Sequence, residues 1–167
     1  MADLTPRILV AGIGNIFLGD DGFGPEVVRR LASEQLPEEV HVVDYGIRGM
    51  HLAYDLLGEY DALVLVDALP SREEPGAVVV LEVTEDDLPR EADLDAHDMN
   101  PVAVLVSLRQ LGGTLPPTYV VGAGPAVLDE GIGLSPELEA AVPEAVRTVL
   151  ALIAEHVRHD AVAAGRS

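Results

Sequence analysis

Two aspartates, Asp21 and Asp67, are the side chains in this sequence best placed to do chemistry. Asp67 directly follows the apolar run Ala62–Val66, and Asp21 follows the apolar run Ile8–Ala11 by way of a glycine-rich loop. Both runs are typical of buried strands, and ligands of open α/β sheets bind beyond the carboxyl ends of such strands. If the strand order is 2-1-3, the two carboxylates share one crevice, where they could hold a cation or share a proton and activate water.

The histidines show no paired spacing, such as His-Glu-x-x-His, that would indicate a metal site by itself. His97 lies in a polar loop ahead of a predicted helix, and His51, near a strand-end loop, is a reserve candidate. Two carboxylates and an imidazole would make a three-ligand site with open positions, and these ligands suit nickel or zinc without choosing between them. The residues alone therefore predict a carboxylate-rich crevice that could hold a borderline metal.

The loop Gly12–Gly24 contains Gly-x-Gly between a strand and a helix, which also invites a dinucleotide-binding interpretation. Asp44, at the end of the second predicted strand, lies where a ribose-binding acid could be. Against this interpretation, Phe17 occupies the position of the third glycine. In addition, Asp20 and Asp21 precede the helix where a pyrophosphate would need amide donors. For Asp20 we expect a helix-capping role.

The composition of the 167-residue chain narrows the possible functions. The formal net charge of -19 disfavours nucleic acid and anionic membranes as partners. The absence of cysteine excludes a thiol nucleophile, a zinc–thiolate site and disulfides. No serine lies in a Gly-x-Ser-x-Gly elbow, which argues against a serine hydrolase. With neither a bilayer-spanning apolar run nor a secretory signal at the start, we expect a soluble cytoplasmic protein.

Alternating strand and helix patterns predict an α/β fold in three layers, with a mostly parallel sheet and helices on both faces. The predicted strands are Ile8–Ala11, Val40–Asp44, Ala62–Asp67, Ala77–Val83 and Thr118–Ala123. The predicted helices are Pro25–Ser33, Met50–Leu57, Pro101–Leu111 capped by Asn100, and a last helix that starts at Ser135–Pro136.

Three details of this architecture are also predicted. Only nine residues, Ala68–Gly76, join the third and fourth strands, too few for a parallel crossover, so the fourth strand should run antiparallel to the third. Pro143 should kink the last helix or break it into two pieces. Residues 1–158 should form a single domain, followed by a disordered tail from His159 to Ser167.

From Arg7 to about Leu152 the sequence resembles the hydrogenase maturation proteases. Each motif is short, but their order and spacing together are specific. The resemblance rests on Gly12-x-Gly-Asn, Asp20-Asp21-Gly-x-Gly24, Asp44, Gly49-Met50, Asp67-Ala68, His97-Asp-Met, Gly122-x-x-Pro125 and Gly131-x-Gly-Leu-Ser135.

The resemblance implies a twisted five-stranded sheet between helices, and an endopeptidase that trims a nickel–iron hydrogenase large-subunit precursor. It would remove the precursor's C-terminal extension once nickel has been inserted. The family's metal-contacting positions fall on Asp21, Asp67 and His97. The first position is often glutamate in relatives, so the shorter Asp21 must approach the metal more closely. Nickel would arrive with the precursor, and zinc or cadmium could substitute for it in vitro.

Two chemistries and two other functions stay open at this point. Asp21 and Asp67 could act as an aspartic-type pair, or the metal could assist hydrolysis. The rival functions are a nucleotide- or small-molecule-binding α/β module and a non-catalytic chaperone that checks nickel insertion.

Overall fold

A five-stranded mixed sheet forms the centre of the computed structural model, which describes residues 6–58, 60–69, 74–89 and 101–164. The strands are β1 (Ile8–Ile13), β2 (Val40–Gly46), β3 (Ala62–Ala68), β4 (Val78–Val83) and β5 (Thr118–Ala123). The helices are α1 (Phe23–Leu31), α2 (Gly49–Asp55), α3 (Pro101–Gln110) and α4 (Pro136–Ala164). The predicted α/β class with five strands is confirmed.

The strand order in the sheet is β2-β1-β3-β5-β4. β1 pairs in parallel with β2 and β3, and β3 pairs in parallel with β5. β4 is antiparallel to its neighbour β5, so it also runs against β3, as the short connection predicted. The predicted order 2-1-3 is confirmed, and it brings the carboxyl ends of β1 and β3 side by side.

Helices cover both faces of the sheet because the central strands are apolar on both sides. Every residue of β3 is buried, as expected for a strand in the middle of a parallel sheet. One face, with Val10 and Val64, packs against α1 and α4. The other face, with Leu9 and Leu65, packs against α2 and α3. β4 lies at the edge and is largely exposed.

Helix α1 packs directly on the backbone of the sheet because two glycines remove the side chains between them. A Cβ on Gly12 would lie 2.7 Å from the carbonyl oxygen of Gly24. A Cβ on Gly24 would overlap the carbonyl oxygens of Val66 and Ile13. This close approach holds the start of α1 over the ends of β1 and β3.

The last helix differs from its prediction in two ways. α4 is a single helix that passes through Pro143, so the predicted break into two pieces does not occur. Pro143 and Glu139, whose carbonyl would otherwise bond to residue 143, are both exposed, so water can hydrate that carbonyl. The helix also continues to Ala164, past His159, where a disordered tail was predicted, because each added turn extends an existing hydrogen-bond ladder. Residues 165–167 lie outside the described residues.

With 29 residues, α4 is long enough to span a bilayer by length alone, although no membrane-spanning segment was predicted. Within the described ranges, no helix is both long enough and apolar enough to cross a bilayer.

Replacing Gly24 with alanine is expected to lower the free energy of unfolding by about 1–3 kcal/mol. The added methyl would press on backbone atoms of the two central strands, so α1 would have to move away from the sheet. Urea unfolding followed by circular dichroism gives the measurement. Gly58→Ala is the control. Gly58 is exposed, and its Cβ would meet a single atom, the Asp55 carbonyl oxygen at 3.2 Å, so a small local shift can accommodate the methyl group. Equal losses in both variants would contradict the close-packing explanation.

Candidate active site

Asp67 lies near the carboxyl end of β3, opposite Gly122 of β5. Alternation along the strand directs its side chain to the same face as Leu63 and Leu65, which is the face covered by α2 and α3. The residue is 5% exposed, so an acid ends one of the most deeply buried strands of the protein.

Asp21 belongs to a 3-10 turn, Gly19–Gly22, that joins the loop after β1 to α1. It is partly buried, and its Oδ2 accepts a hydrogen bond of 2.7 Å from the backbone N–H of Asn15. Gly14 has a positive φ of 140° and lies against both aspartates. A Cβ on Gly14 would overlap the carbonyl oxygen of Asp21 and lie 3.5 Å from Oδ1 of Asp67. The structure therefore brings the two predicted acids to the same place, next to Gly14.

The two acids interact electrostatically. Burial, together with the negative charge of Asp21, raises the pKa of Asp67 to about 8, and a hydrogen bond from the Ala68 amide opposes this only partly. At neutral pH Asp67 is therefore mostly protonated. Within the described part of the chain, its buried Oδ1 has no hydrogen-bond partner. A buried polar atom without a partner is costly and points to a ligand or to catalysis.

The donor set at this edge suits a cation. Within the described residues, an unpartnered carboxyl oxygen lies beside a second carboxylate, and oxygen ligands of this kind suit a cation. Among the described residues, no three His, Asp or Glu side chains lie close enough together to hold a metal ion. The third predicted ligand, His97, lies outside the described residues, as does the predicted cap Asn100, so both stay predictions.

The reserve candidate, His51, has its contacts elsewhere. It lies on α2, with its Nε2 3.7 Å from a carboxylate oxygen of Asp55 and its ring against that of Tyr45. These contacts account for the residue without a role beside Asp21 and Asp67.

Asp20 does not cap α1, which corrects the prediction. The N-cap of α1 is Gly22, and no side chain caps the helix. Because the chain enters α1 through the 3-10 turn, the fully buried Asp20 faces the loop between β5 and α4 instead. Its carboxylate accepts hydrogen bonds from the backbone N–H groups of Ala126 (2.7 Å), Val127 (2.8 Å) and Ser135 (2.6 Å), and from Ser135 Oγ (2.8 Å).

The residues that suggested a nucleotide site make other interactions. Asp44 accepts a hydrogen bond from the Gly46 N–H within its own turn, 2.9 Å away. The amide of Asn15, which a phosphate would need, is bound to Asp21. Two acids occupy the entrance to α1, which disfavours an anion there.

The chain is similar along most of its length to known proteases. A family model described as hydrogenase maturation protease matches residues 25–152, a range that includes Asp67 and His97 and begins just after Asp21. Over 151 residues the chain is 34% identical to the hydrogenase 2 maturation protease of Escherichia coli (strain K12), covering 89% of this chain and 92% of that protein.

Solved structures agree with this similarity. The hydrogenase maturating endopeptidase HybD from Escherichia coli superposes with a TM-score of 0.76 at 34% identity, covering 90% of this chain and 93% of that one. The hydrogenase 2 maturation peptidase from a Thaumarchaeota archaeon gives a TM-score of 0.70 at 33% identity, with coverage of 89% and 98%.

The raised pKa of Asp67 predicts how stability depends on pH. Between the ordinary value of 3.8 and about 8, the folded protein keeps a proton on Asp67 that the unfolded chain releases, so stability should fall as pH rises through this window. Asp67→Asn should remove that fall. Urea unfolding of metal-free protein at a series of pH values gives the measurement. Glu82→Gln, on the exposed edge strand, should keep the wild-type dependence; a similar flattening there would contradict the assignment.

Asp20 should stabilise the fold in a way that acid removes. Burial opposes its ionisation, but the donors on Ser135, Val127 and Ala126 outweigh burial and hold the pKa of Asp20 below its usual value of 3.8. The contribution is thus present above pH 4 and is lost as pH falls below that. Asp20→Ala should lower the free energy of unfolding by roughly 2–4 kcal/mol at neutral pH, because it leaves buried N–H and O–H donors without an acceptor. Asp129 is an exposed acid in the loop between β5 and α4, to which Asp20 binds. Asp129→Ala should therefore lower the free energy of unfolding very little in the same experiment.

Proposed function

Because the chain belongs to the hydrogenase maturation protease family, we propose that it removes the C-terminal extension of a nickel–iron hydrogenase large-subunit precursor after nickel insertion. The observation that carries this proposal is the carboxyl pair at the carboxyl edge of the sheet. Asp67 is buried with an unpartnered Oδ1, and the negative charge of the nearby Asp21 helps to raise its pKa. Such a pair is suited to bond hydrolysis and to contact with a metal in the substrate.

On this proposal nickel belongs to the substrate, and Asp21, Asp67 and His97 contact it there. Two carboxylates and one imidazole hold a metal only modestly by themselves, which suits recognition of a metal that the precursor already binds. Residues 90–100, which include His97, lead directly to Pro101 at the start of α3. α3 packs on the same face to which the Asp67 side chain is directed, and this connectivity supports His97 as the third contact.

Peptide hydrolysis needs one group that takes a proton from water and another that supplies a proton to the substrate. Asp21 can take the water proton as the water oxygen attacks the peptide carbonyl carbon, while Asp67 protonates the carbonyl oxygen. When the carbon–nitrogen bond breaks, the proton on Asp21 passes to the leaving amine and the hydroxyl proton returns to Asp67. A protonated Asp67 beside a charged Asp21 is the state that this route requires.

A metal-assisted route uses the same residues in another protonation state. Asp21 and Asp67 would both be unprotonated ligands of the substrate's nickel, which would polarise the carbonyl group. Asp67 would then have to release its proton when the precursor binds. The two routes therefore differ in whether Asp67 keeps its proton beside the nickel: the first route keeps it and the metal-assisted route releases it.

The proposal predicts that purified protein cleaves a nickel-loaded precursor and leaves a nickel-free precursor intact, because the metal positions the scissile bond over the pair. Mass spectrometry of the precursor's C-terminus gives the measurement. Asp67→Asn, Asp21→Asn and His97→Ala should each lower the cleavage rate by about a hundredfold or more. Asp21→Glu should retain most of the activity, because glutamate keeps the carboxylate.

Glu82→Gln is the control and should cleave normally, since that residue lies on the exposed edge strand. Circular dichroism should show that each variant is folded. Equal cleavage of both precursors would contradict nickel recognition, and full activity in Asp67→Asn would contradict the site. Binding of the precursor without cleavage by the wild-type protein would instead indicate a non-catalytic chaperone.

A further inference from the structure

Two loops beside the carboxyl pair are joined into a single surface, which we name the two-loop platform. It consists of residues 15–19, after β1, and residues 126–134, between β5 and α4. The backbone N–H of Gly131 donates to the carbonyl oxygen of Phe17, and the N–H of Gly19 donates to the carbonyl oxygen of Gly131, both at 2.9 Å. The N–H of Asp20 donates to the carbonyl oxygen of Val127 at 2.8 Å. Asp21 lies two residues beyond this surface in the chain.

The platform concentrates exposed apolar side chains. Of the eleven large hydrophobic residues that are exposed in the described part of the chain, five lie on these two short loops. They are Ile16 (46% exposed), Phe17 (61%), Val127 (44%), Leu128 (50%) and Ile132 (77%). Single exposed apolar residues need no explanation, but a cluster of them beside a functional site indicates a surface that a partner covers.

Two clefts border the platform, and Ile16 lines both of them. One, of about 510 Å³, runs along α1 and is lined on its other side by Ile132 and Leu134. The second, of about 420 Å³, lies between Phe17 and Ile47 and includes Gly14, which lies next to both aspartates. A polypeptide seated in the second cleft would therefore pass over Gly14, which lies next to Asp21 and Asp67.

The platform is held in place before any partner arrives. Residues 126–133 are all exposed, and Pro125 and Leu134 on either side of them are half-buried, so this loop has little core of its own. The buried carboxylate of Asp20 nevertheless binds both ends of it, at Ala126 and at Ser135. Fixing a loop in one conformation reduces the entropy that is lost on binding, so the clamp prepares the surface for its partner.

We propose that the two-loop platform docks an apolar stretch of the precursor next to the scissile bond, a stretch flanked by basic rather than acidic side chains; this inference rests on the proposed function. Continuity with the carboxyl pair identifies the partner as the chain that is cut. The charge of its flanks follows from Asp129 and Glu130 on the platform itself and from the net charge of -19. Inside the clefts the charges largely offset each other, since Arg48 accompanies Asp44 and Arg29 pairs with Glu26. The net charge also disfavours a second copy of this chain as the occupant.

The experiment measures KM and kcat for cleavage of the nickel-loaded precursor, together with direct binding of that precursor. Phe17→Ser and Ile132→Ser remove exposed side chains, so the fold should be unaffected. Each should raise KM and the dissociation constant by about tenfold and change kcat less than twofold. Leu57→Ser is the control and should match wild type. Leu57 is comparably exposed (45%) and lies near the amino ends of β3 and β5, away from the carboxyl pair. Glu130→Lys should also weaken binding at low salt, with the difference shrinking at high salt.

The outcomes separate the docking inference from the proposed function. If the wild type cleaves the precursor but both serine variants keep the wild-type KM, the docking inference is wrong and the proposed function stands. If the wild type binds without cleaving, the protease proposal fails, and loss of binding in the variants still supports docking. If the wild type neither binds nor cleaves, both are wrong. Sedimentation analysis covers the remaining occupant: a wild-type dimer that the variants convert to monomer, with KM unchanged, would overturn docking of the precursor.

Discussion

The buried carboxylate of Asp20 is the interaction on which the arrangement of the site depends. It joins the turn before α1 to the loop before α4, and its partner Ser135 lies 115 residues away in the chain. Ser135 Oγ donates to Asp20 and also receives the N–H of Leu138, so the same contact fixes the start of α4. A buried charge is costly unless it is hydrogen-bonded, and here three amides and one hydroxyl donate to the carboxylate. These hydrogen bonds offset the cost of burying the charge. They also connect two segments that are more than 100 residues apart in the chain.

Asp67 represents the opposite choice of environment for the same side chain. Asp20 is surrounded by donors and its pKa is lowered, whereas burial and the charge of Asp21 raise the pKa of Asp67 to about 8. One acid is thus suited to hold structure, and the other is held in a state that costs stability and suits proton transfer or exchange of a proton for a metal. The sheet tolerates this cost because the rest of β3 is apolar and packed by helices on both faces.

Glycines allow these parts to meet at short range. Gly12 and Gly24 let α1 rest on the strand backbones, and Gly14 lets the loop after β1 approach the backbone of Asp21 and the carboxyl group of Asp67. With side chains at these positions, the start of α1, the 3-10 turn and the carboxyl pair would each be displaced. The pattern of the glycine-rich loop is also compatible with phosphate binding. In this structure its glycines instead allow backbone segments and carboxyl groups to pack closely.

The sequence by itself determined the elements of the fold and the meeting of two acids. Apolar runs and cap residues depend on neighbours a few positions away, so they predicted five strands, the short link to an antiparallel β4 and the start of α4 at Ser135–Pro136. Parallel strand topology then predicted that Asp21 and Asp67 share one edge, because side chains at the carboxyl ends of adjacent strands must lie together.

Only the tertiary structure decided what each acid does there. Local rules assigned Asp20 to a helix cap, because its true partners at 126, 127 and 135 are distant in sequence and carry no pattern that marks them. Local rules also predicted a kink or a break of α4 at Pro143, and the break does not occur because this position faces water, a fact that only the folded chain shows. The pKa of Asp67 and the joining of two loops beside it depend on burial and on contacts between remote segments. These are properties of the packed chain, since hydrogen bonds and desolvation act on groups that folding brings together rather than on neighbours in sequence.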